Sequence, residues 1–238
     1  MENATYTALT RQSGLMREMR TVANNIANTS TTGFRAEGVI FAEYVKALGT
    51  DAESLSMATA SVRDTLQTQG TLTQTGGTFD LAIEGEGFFL VETPQGERLT
   101  RAGSFTPNGD GDLVTPEGYR VLDAGGAPMF VPQGVRSIGI APDGTMSADG
   151  QPVGQVGLFV PTDPADITRE DGVRFRADGG FEPAPEGRML QGYLEESNVN
   201  PILEVTRMIE VQRAYELGQT FMDKEDERIR GVIKALSQ

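Results

Sequence analysis

The sequence predicts an α+β protein: a long helix at each end of the chain, the two forming an α-hairpin, and an antiparallel β-rich domain inserted between them. Two observations carry this prediction. Apolar residues recur at helical spacing near both ends, whereas 23 of the 29 Gly and 11 of the 12 Pro lie between residues 70 and 192. We therefore expect a terminal helical domain at 1–33 and 198–238, an extended linker at 34–75 and a β-rich outer domain at 76–197.

The first predicted element is a helix over about residues 3–28. Leu9 and Met16 are seven residues apart, as are Met19 and Ile26, and together they form one apolar stripe at helical period. The stripe covers one face of the helix, so this face is expected to pack against another element.

Three asparagines mark the end of this helix. Asn24 and Asn25 lie inside it, where capping does not explain them, and amide side chains both donate and accept hydrogen bonds. They are therefore expected to satisfy polar groups in a tightly packed interface. For Asn28 a second interpretation stays open, in which it merely ends the helix. Thr32 and Gly33 follow, and the hydroxyl group and the freedom for positive φ favour termination there.

The last predicted element is a helix that runs from Pro201 to about residue 236. Asn200 can cap it, and Pro201 occupies the first helical position, where its missing N–H costs nothing. Apolar and aromatic residues then follow steps of three and four: Val205, Met208, Tyr215, Met222, Ile229, Ile233 and Leu236.

Polar residues are predicted to share this second seam. Gln212, Gln219 and Asp226 recur at seven-residue intervals and could fix the register of a helix pair. Arg213 and Tyr215 combine a forked donor with an amphipathic ring, a pairing typical of interfaces. The alternative is a solvated Arg213 and a core Tyr215.

Both helices could pack within their own domain, and periodicity does not exclude this. However, complete burial of the seven seam side chains would contribute roughly 10–20 kcal/mol as an upper bound. Two helices that pack on each other alone would leave much of this gain unrealised. We therefore expect them to pack on each other and then on other chains.

The middle of the chain predicts short antiparallel strands in a sandwich or open barrel. Gly87–Val91 and Gly157–Val160 are short apolar runs, and pairs such as Asn108-Gly109 and Asp149-Gly150 suit tight hairpin turns. A calcium loop at 108–119 is disfavoured, because its sixth and twelfth positions would be Leu113 and Tyr119 in place of Gly and Glu.

Composition excludes several classes of function. The 238 residues contain 20 basic and 34 acidic side chains, for a net charge of −14, and residues 51–197 hold nine basic and 23 acidic ones. Such a chain lacks the basic footprint needed for nucleic acid. There is no Cys or His, which removes thiolate and imidazole chemistry. We expect no membrane insertion and no signal peptide, because the sequence has no long apolar run and no basic, apolar start.

No catalytic, cofactor-binding or metal-binding residue is predicted. A carboxylate-based hydrolase is a remote alternative, because most carboxylates adjoin Gly or Pro in turns and the chain has no Trp for a sugar platform. A Ser-Lys hydrolase would have to use Lys46, Lys224 or Lys234, which all fall outside the predicted β-domain.

Five segments carry a resemblance. Ala23–Arg35 resembles the N-terminal signature of the bacterial flagellar axial proteins, which include rod, hook and hook-associated proteins. Gly192–Pro201, followed by Met208–Glu216, resembles their C-terminal signature. Ala82–Phe89 and Leu99–Phe105 are similar to the start of the β-domain in the rod and hook members.

The resemblance implies a structural subunit of the flagellar basal-body rod and not an enzyme. Chain length and the forms of residues 6–9 and 30–36 are most similar to the proximal rod type, with a distal rod or hook-type subunit as the alternative. The implied partners are other rod subunits, with which the terminal helices build a helical tube that transmits torque across the periplasm. The flagellar type III apparatus would export the chain without a cleaved signal peptide. An extracellular adhesin or fibre with helical ends is a rival class.

The terminal segments are expected to supply the subunit interface. Its predicted residues are Leu9, Met16, Asn24, Asn25, Ile26, Asn28, Thr32, Gly33, Phe34, Asn198, Asn200, Val205, Met208, Gln212, Arg213, Tyr215 and Met222.

Overall fold

The computed structural model describes residues 2–46, 55–184 and 187–236, without the side chains of 2–6, 41–46 and 55–63. The chain divides into two compact units. The helical unit consists of residues 1–29, 36–67 and 199–238, and the β-rich unit consists of residues 30–35 and 68–198. Residues 47–54 of the predicted linker lie outside the described residues.

The helical unit contains two helices and one β-hairpin. They are α1 (Glu2–Ala27), β1 (Glu37–Lys46), β2 (Leu55–Thr65) and α2 (Pro201–Leu236). Strands β1 and β2 pair in antiparallel fashion with a bulge between Ile40 and Phe41. Helix α1 packs against both α2 and the hairpin. The prediction of a helix at each end of an antiparallel β-rich region is therefore confirmed. Neither helix is both long and apolar enough, over its described residues, to cross a membrane.

The start of α2 follows the predicted capping pattern. The Asn200 side-chain oxygen accepts hydrogen bonds from the backbone N–H groups of Ile202 and Leu203, at 3.1 and 3.3 Å. These are two of the N–H groups that a helix leaves without an internal partner, and Pro201 has none to satisfy.

The β-rich unit is built from short strands. They are β3 (Leu72–Gln74), β4 (Leu81–Glu84), β5 (Phe88–Thr93), β6 (Gly96–Thr100), β7 (Thr106–Pro107), β8 (Leu113–Val114), β9 (Arg120–Val121), β10 (Ile138–Ile140), β11 (Thr145–Ala148), β12 (Gln151–Gln155), β13 (Leu158–Pro161), β14 (Ile167–Asp171), β15 (Arg174–Ala177), β16 (Phe181–Pro183), β17 (Arg188–Gln191) and β18 (Tyr193–Glu195).

The strand pairings recorded for these elements are all antiparallel. The largest sheet has the order β14-β15-β6-β5-β9-β8-β7, with β13 added to β5 and β16 to β13. Strands β10, β11 and β12 form a second sheet, while β17 pairs with β4 and β18 pairs with β3. The last two strands of the unit therefore pair with its first two.

Strand β5 is buried on both faces. Phe89 and Val91 belong to one hydrophobic cluster, and Phe88 and Leu90 belong to a second. Because side chains alternate between the faces of a strand, two clusters need a continuous apolar run. This explains why the sequence shows such a run at 88–91.

Gly103 is required by a close backbone approach. A Cβ atom at this position would overlap the carbonyl oxygen of Leu81. The two backbone segments are held this close because the Leu81 N–H donates to the Gly103 carbonyl at 2.9 Å. Gly109, in contrast, faces open space and has an ordinary φ.

We predict that Gly103→Ala lowers the free energy of unfolding by at least about 2 kcal/mol, because the added carbon forces two paired segments apart. The matched control Gly109→Ala is expected to stay within about 0.5 kcal/mol of the parent. Urea unfolding followed by circular dichroism measures both. Equal stability of the two variants would contradict the assigned approach.

Candidate functional site

The two helices pack side by side in opposite directions. The Gln12 side-chain amide donates to the Tyr215 carbonyl at 2.9 Å, and Arg207 forms an ion pair with Glu18 at 2.8 Å. Higher numbers on α1 therefore meet lower numbers on α2. Gly218 gives the Gln12 side chain room, since a Cβ there would overlap its amide nitrogen. The predicted α-hairpin is supported by these contacts.

The buried face of α2 agrees with half of the predicted seam. Met208, Tyr215, Met222 and Ile229 are half-buried at seven-residue intervals. Three residues after Met208 and Tyr215 lie Val211, which is buried, and Gly218, which is half-buried.

The placement of the polar residues in this seam was wrong. Gln212, Gln219 and Asp226 are exposed, and so are the predicted apolar seam residues Val205, Ile233 and Leu236. Val205 and the three polar residues each lie one residue past a buried or half-buried position, and one residue turns a helix by about 100°. The amide and carboxylate groups thus stay in water. The preceding positions are Glu204, Val211, Gly218 and Glu225, of which Val211 is buried and the other three are half-buried.

A large apolar surface of α2 remains uncovered. Ile202 is 77% exposed and Leu217 is 72% exposed, although large apolar side chains gain free energy from burial. The exposed large apolar residues on this helix are Ile202, Leu203, Val205, Ile209, Leu217, Phe221, Val232, Ile233 and Leu236. On α1, Leu9 is exposed, and Met16 and Ile26 are half-buried. This surface can bind apolar partners.

The three asparagines at the end of α1 have different environments. Asn25 is buried, and its side chain forms two hydrogen bonds with the backbone of Glu37: Nδ2 donates to the carbonyl at 2.8 Å, and Oδ1 accepts from the N–H at 3.0 Å. Asn24 is exposed, and Asn28 donates from its side chain to the Asn24 carbonyl at 2.8 Å. Asn25 thus links α1 to the start of β1, while Asn28 ends the helix.

The two signature segments dock onto each other inside the β-rich unit. Gly33 N–H donates to the Glu195 carbonyl at 2.7 Å, and Asn198 N–H donates to the Phe34 carbonyl at 3.2 Å. We call this contact of Gly33–Arg35 with Glu195–Asn198 the signature clasp. Gly33 adopts φ +69°, and a Cβ there would overlap the backbone of Arg101 and Ala102, so glycine is needed on both counts.

An ion cluster lies within the clasp. The Glu195 carboxylate forms ion pairs with Arg35 at 2.9 Å and with Arg101 at 3.1 Å, and the side chains of Arg35 and Glu195 are each 1% exposed. Burial lowers the pKa of Arg101 to about 10 and also lowers the pKa of Arg35, while the Glu195 charge opposes both shifts. One carboxylate therefore neutralises two desolvated guanidinium groups incompletely.

Phe34 is fixed by an arginine. The Arg169 guanidinium carbon lies 4.3 Å from the centre of the Phe34 ring and 4.8 Å from that of Phe175, and Arg169 also donates to the Arg35 carbonyl. A cation held between two rings, together with a hydrogen bond, positions the segment. Arg35, Arg101 and Glu195 lie within the sequence motifs but have no predicted role, and Arg169 lies outside these motifs. Each of the four depends on a partner far away in sequence, which local patterns do not reveal.

The predicted interface residues thus fall into three groups. Buried within the chain are Asn25, Gly33 and Phe34. Half-buried are Met16, Ile26, Asn28, Thr32, Asn198, Met208, Tyr215 and Met222. Exposed are Leu9, Asn24, Asn200, Val205, Gln212 and Arg213.

One pocket in the helical unit bears on the hydrolase alternative. It is lined by Glu18, Glu37 and Glu204 together with Arg207. Arg207 is bound to the Glu18 carboxylate through two of its nitrogens, at 2.8 and 2.9 Å, so this carboxylate serves the packing of α1 on α2. In the part of the chain that the structure describes, no three acidic residues are grouped as a metal site would need.

Comparisons with known proteins decide the family. Residues 6–35 match the model "Flagella basal body rod protein", residues 82–148 match "Flagellar hook protein FlgE/F/G D1 domain", and residues 190–234 match "Flagellar basal body rod FlgEFG protein C-terminal". The flagellar basal-body rod protein FlgF of Caulobacter vibrioides is 40% identical, over 100% of this chain and 99% of its own.

The chain belongs to the flagellar basal-body rod protein family. FlgF of Mesorhizobium japonicum is 39% identical over 99% of this chain and 98% of its own, and the rod protein FlgG of Bacillus subtilis is 30% identical over 98% of both. Membership confirms the predicted family and the prediction of a structural rod protein that is not an enzyme. The chain is most similar to the FlgF members.

We predict that Asn25→Ala lowers the free energy of unfolding by about 2–3 kcal/mol, because it removes both hydrogen bonds between the Asn25 side chain and the buried backbone of Glu37. The neighbouring Asn24→Ala is the matched control and is expected to change stability by less than about 0.5 kcal/mol. Chemical denaturation of the two variants compares them. A harmless Asn25→Ala would show that the Glu37 backbone finds other partners.

Proposed function

We propose that this rod protein is a proximal rod subunit that assembles through its terminal helices. The segments 1–33 and 198–238 would form the assembly domain and pack with equivalent segments of neighbouring subunits into the wall of a helical tube. Residues 76–197 would form the outer domain, joined through 34–75, the region that contains β1 and β2. The observation that carries this proposal is the exposed apolar surface of α2.

The energetics of α2 favour association. Each large apolar side chain contributes about 1.5–3 kcal/mol when it is fully buried, and nine of them on this helix are exposed. Helix α1 packs on two neighbours, α2 and the β1–β2 hairpin, whereas α2 makes extensive contact with α1 alone among the described elements of its unit. A second subunit that covers this face would supply the missing burial.

The charge distribution is compatible with this packing. Residues 1–50 carry five basic and four acidic side chains, and residues 198–238 carry six basic and seven acidic ones. Nearly neutral segments can approach one another without long-range repulsion. The segment 51–197 has the whole excess of negative charge, which suits a domain that stays in water.

Head-to-tail contacts between unlike faces produce an open helical assembly when the rotation between subunits does not close into a ring. Such a tube could transmit torque across the periplasm. The proposal includes export through the flagellar type III apparatus without a cleaved signal peptide. Neighbouring rod proteins would be further partners.

The proximal position is supported by the similarity to FlgF relatives over almost the whole of both chains. A distal rod subunit is the second candidate, because FlgG relatives also align over nearly the full length at lower identity. Residue pairs that cross-link in isolated basal bodies would separate these positions.

Loss of the gene tests the rod assignment. We expect cells without it to lose swimming and to carry no filament, because a missing rod segment interrupts the axis. Expression of the parent chain in the same cells is expected to restore swimming, as scored in soft agar and by electron microscopy. Normal motility of the deletion strain would exclude a rod role and leave the adhesin or fibre class.

A surface variant tests the interface. Ile209→Gln with Leu217→Gln is expected to leave the fold intact, since both side chains are exposed, but to reduce incorporation into basal bodies at least about tenfold. Phe130→Gln with Val153→Gln, at exposed positions of the β-rich unit, is the matched control and is expected to incorporate normally.

Circular dichroism checks the fold of each variant, and immunoblots of purified basal bodies measure incorporation. Full incorporation of the α2 variant would show that this face of α2 is not used in assembly.

A further inference from the structure

Glu195 joins three parts of the β-rich unit that are distant in sequence. Its Oε1 atom accepts hydrogen bonds from Gly70 N–H at 3.0 Å and from Arg35 at 2.9 Å, and its Oε2 atom accepts from Arg101 at 3.1 Å. Arg35 precedes Glu195 by about 160 residues. The signature clasp therefore cannot form until the chain is available up to residue 198.

The cluster is unbalanced in charge. Two buried guanidinium groups share the Glu195 carboxylate, and the Arg35 charge contributes to lowering the pKa of Arg101. The exposed Glu86 carboxylate opposes this shift more weakly than the Arg35 charge promotes it. A buried charge that loses its partner is strongly destabilising. Without Glu195, docking of the 30–35 segment would place two cations together in a dry site.

The remaining hydrogen bonds of these arginines do not replace the carboxylate. Arg35 donates to the Thr68 carbonyl, and Arg101 donates to the carbonyls of Ile83 at 3.2 Å and Gly85 at 2.5 Å. Carbonyl groups accept hydrogen bonds but carry no net charge, so they leave the repulsion between the two cations in place.

We propose that Glu195 is the closing residue of the β-rich unit: the 30–35 segment docks only when the 193–198 segment arrives, because repulsion between Arg35 and Arg101 keeps the 30–35 segment away from the Arg101 loop until then. The use of such late closure rests on the proposed function, since a chain exported unfolded must not lock before its last segment is available. The closure itself is a property of the single chain.

The first test measures the clasp in the folded protein. In Glu195→Gln, native-state hydrogen exchange at the Gly33 and Asn198 amides is expected to be at least about tenfold faster than in the parent. Both amides donate to backbone carbonyls, so the substitution leaves their acceptors in place. The matched control is Asp178→Asn, which removes the exposed ion pair with Arg176 and is expected to leave both rates unchanged. Parent-like rates in Glu195→Gln would overturn the proposal.

A second variant keeps the test decisive if Glu195→Gln alone unfolds. Arg35→Met combined with Glu195→Gln removes one of the two unpaired cations, so it is expected to protect the Gly33 and Asn198 amides better than Glu195→Gln does. A role in packing alone predicts the reverse, since two contacts would be lost. A double variant that exchanges as fast as the single variant, or faster, would overturn the proposal.

The order of closure is tested by refolding the full parent chain with pulsed hydrogen exchange. The Gly33 amide is expected to gain protection together with the Asn198 amide and after the amides of the β5–β6 pair. Protection of Gly33 in the same early phase as β5–β6 would overturn late closure. These measurements use purified monomer, so their failure is distinguishable from failure of the rod assignment, which rests on swimming and incorporation.

Discussion

The carboxylate of Glu195 lies between two buried arginine side chains, and the β-rich unit is arranged around this contact. Glu195 comes from the last strand of the unit, Arg35 from its 30–35 segment, and Arg101 from the loop after β6. A buried carboxylate shared by two guanidinium groups demands exact placement of all three, because any displaced partner leaves an uncompensated charge. This demand fixes the Phe34 backbone against Asn198 and explains the glycine at position 33.

The family signatures therefore have a role within the chain. Gly33, Phe34 and Arg35 are buried by contacts inside the β-rich unit, and Asn25 is occupied by the Glu37 backbone in the helical unit. Some of the residues in the family signatures are thus buried within the chain and do not lie on its surface. The surface that stays exposed is more ordinary in composition: leucine, isoleucine, valine and phenylalanine side chains along α2.

The helical unit leaves this surface uncovered for a geometric reason. A helix of 36 residues is about 54 Å long at 1.5 Å per residue, whereas α1 has 26 residues and covers one face of α2 over part of its length. Membership of a flagellar rod family gives this incomplete burial a purpose, since a rod subunit has to present a surface to its neighbours. Within the helical unit, the ion pair of Glu18 with Arg207 joins α1 to α2.

Local patterns in the sequence predicted the two helices to within about two residues, the Asn200 cap and the apolar run at 88–91, because periodicity and capping are short-range effects. The signatures gave the family for the same reason. The sequence did not predict the buried face of α2 correctly at 205, 212, 219 and 226, because the phase of a seam depends on where its partner helix lies. It also gave no role to Arg101 or Arg169, whose partners are brought near only by the completed fold. What the sequence determined by itself was the set of elements and the family. Only the tertiary structure decided which signature residues face inward and which side of α2 is left open, since both depend on contacts between residues far apart in the chain.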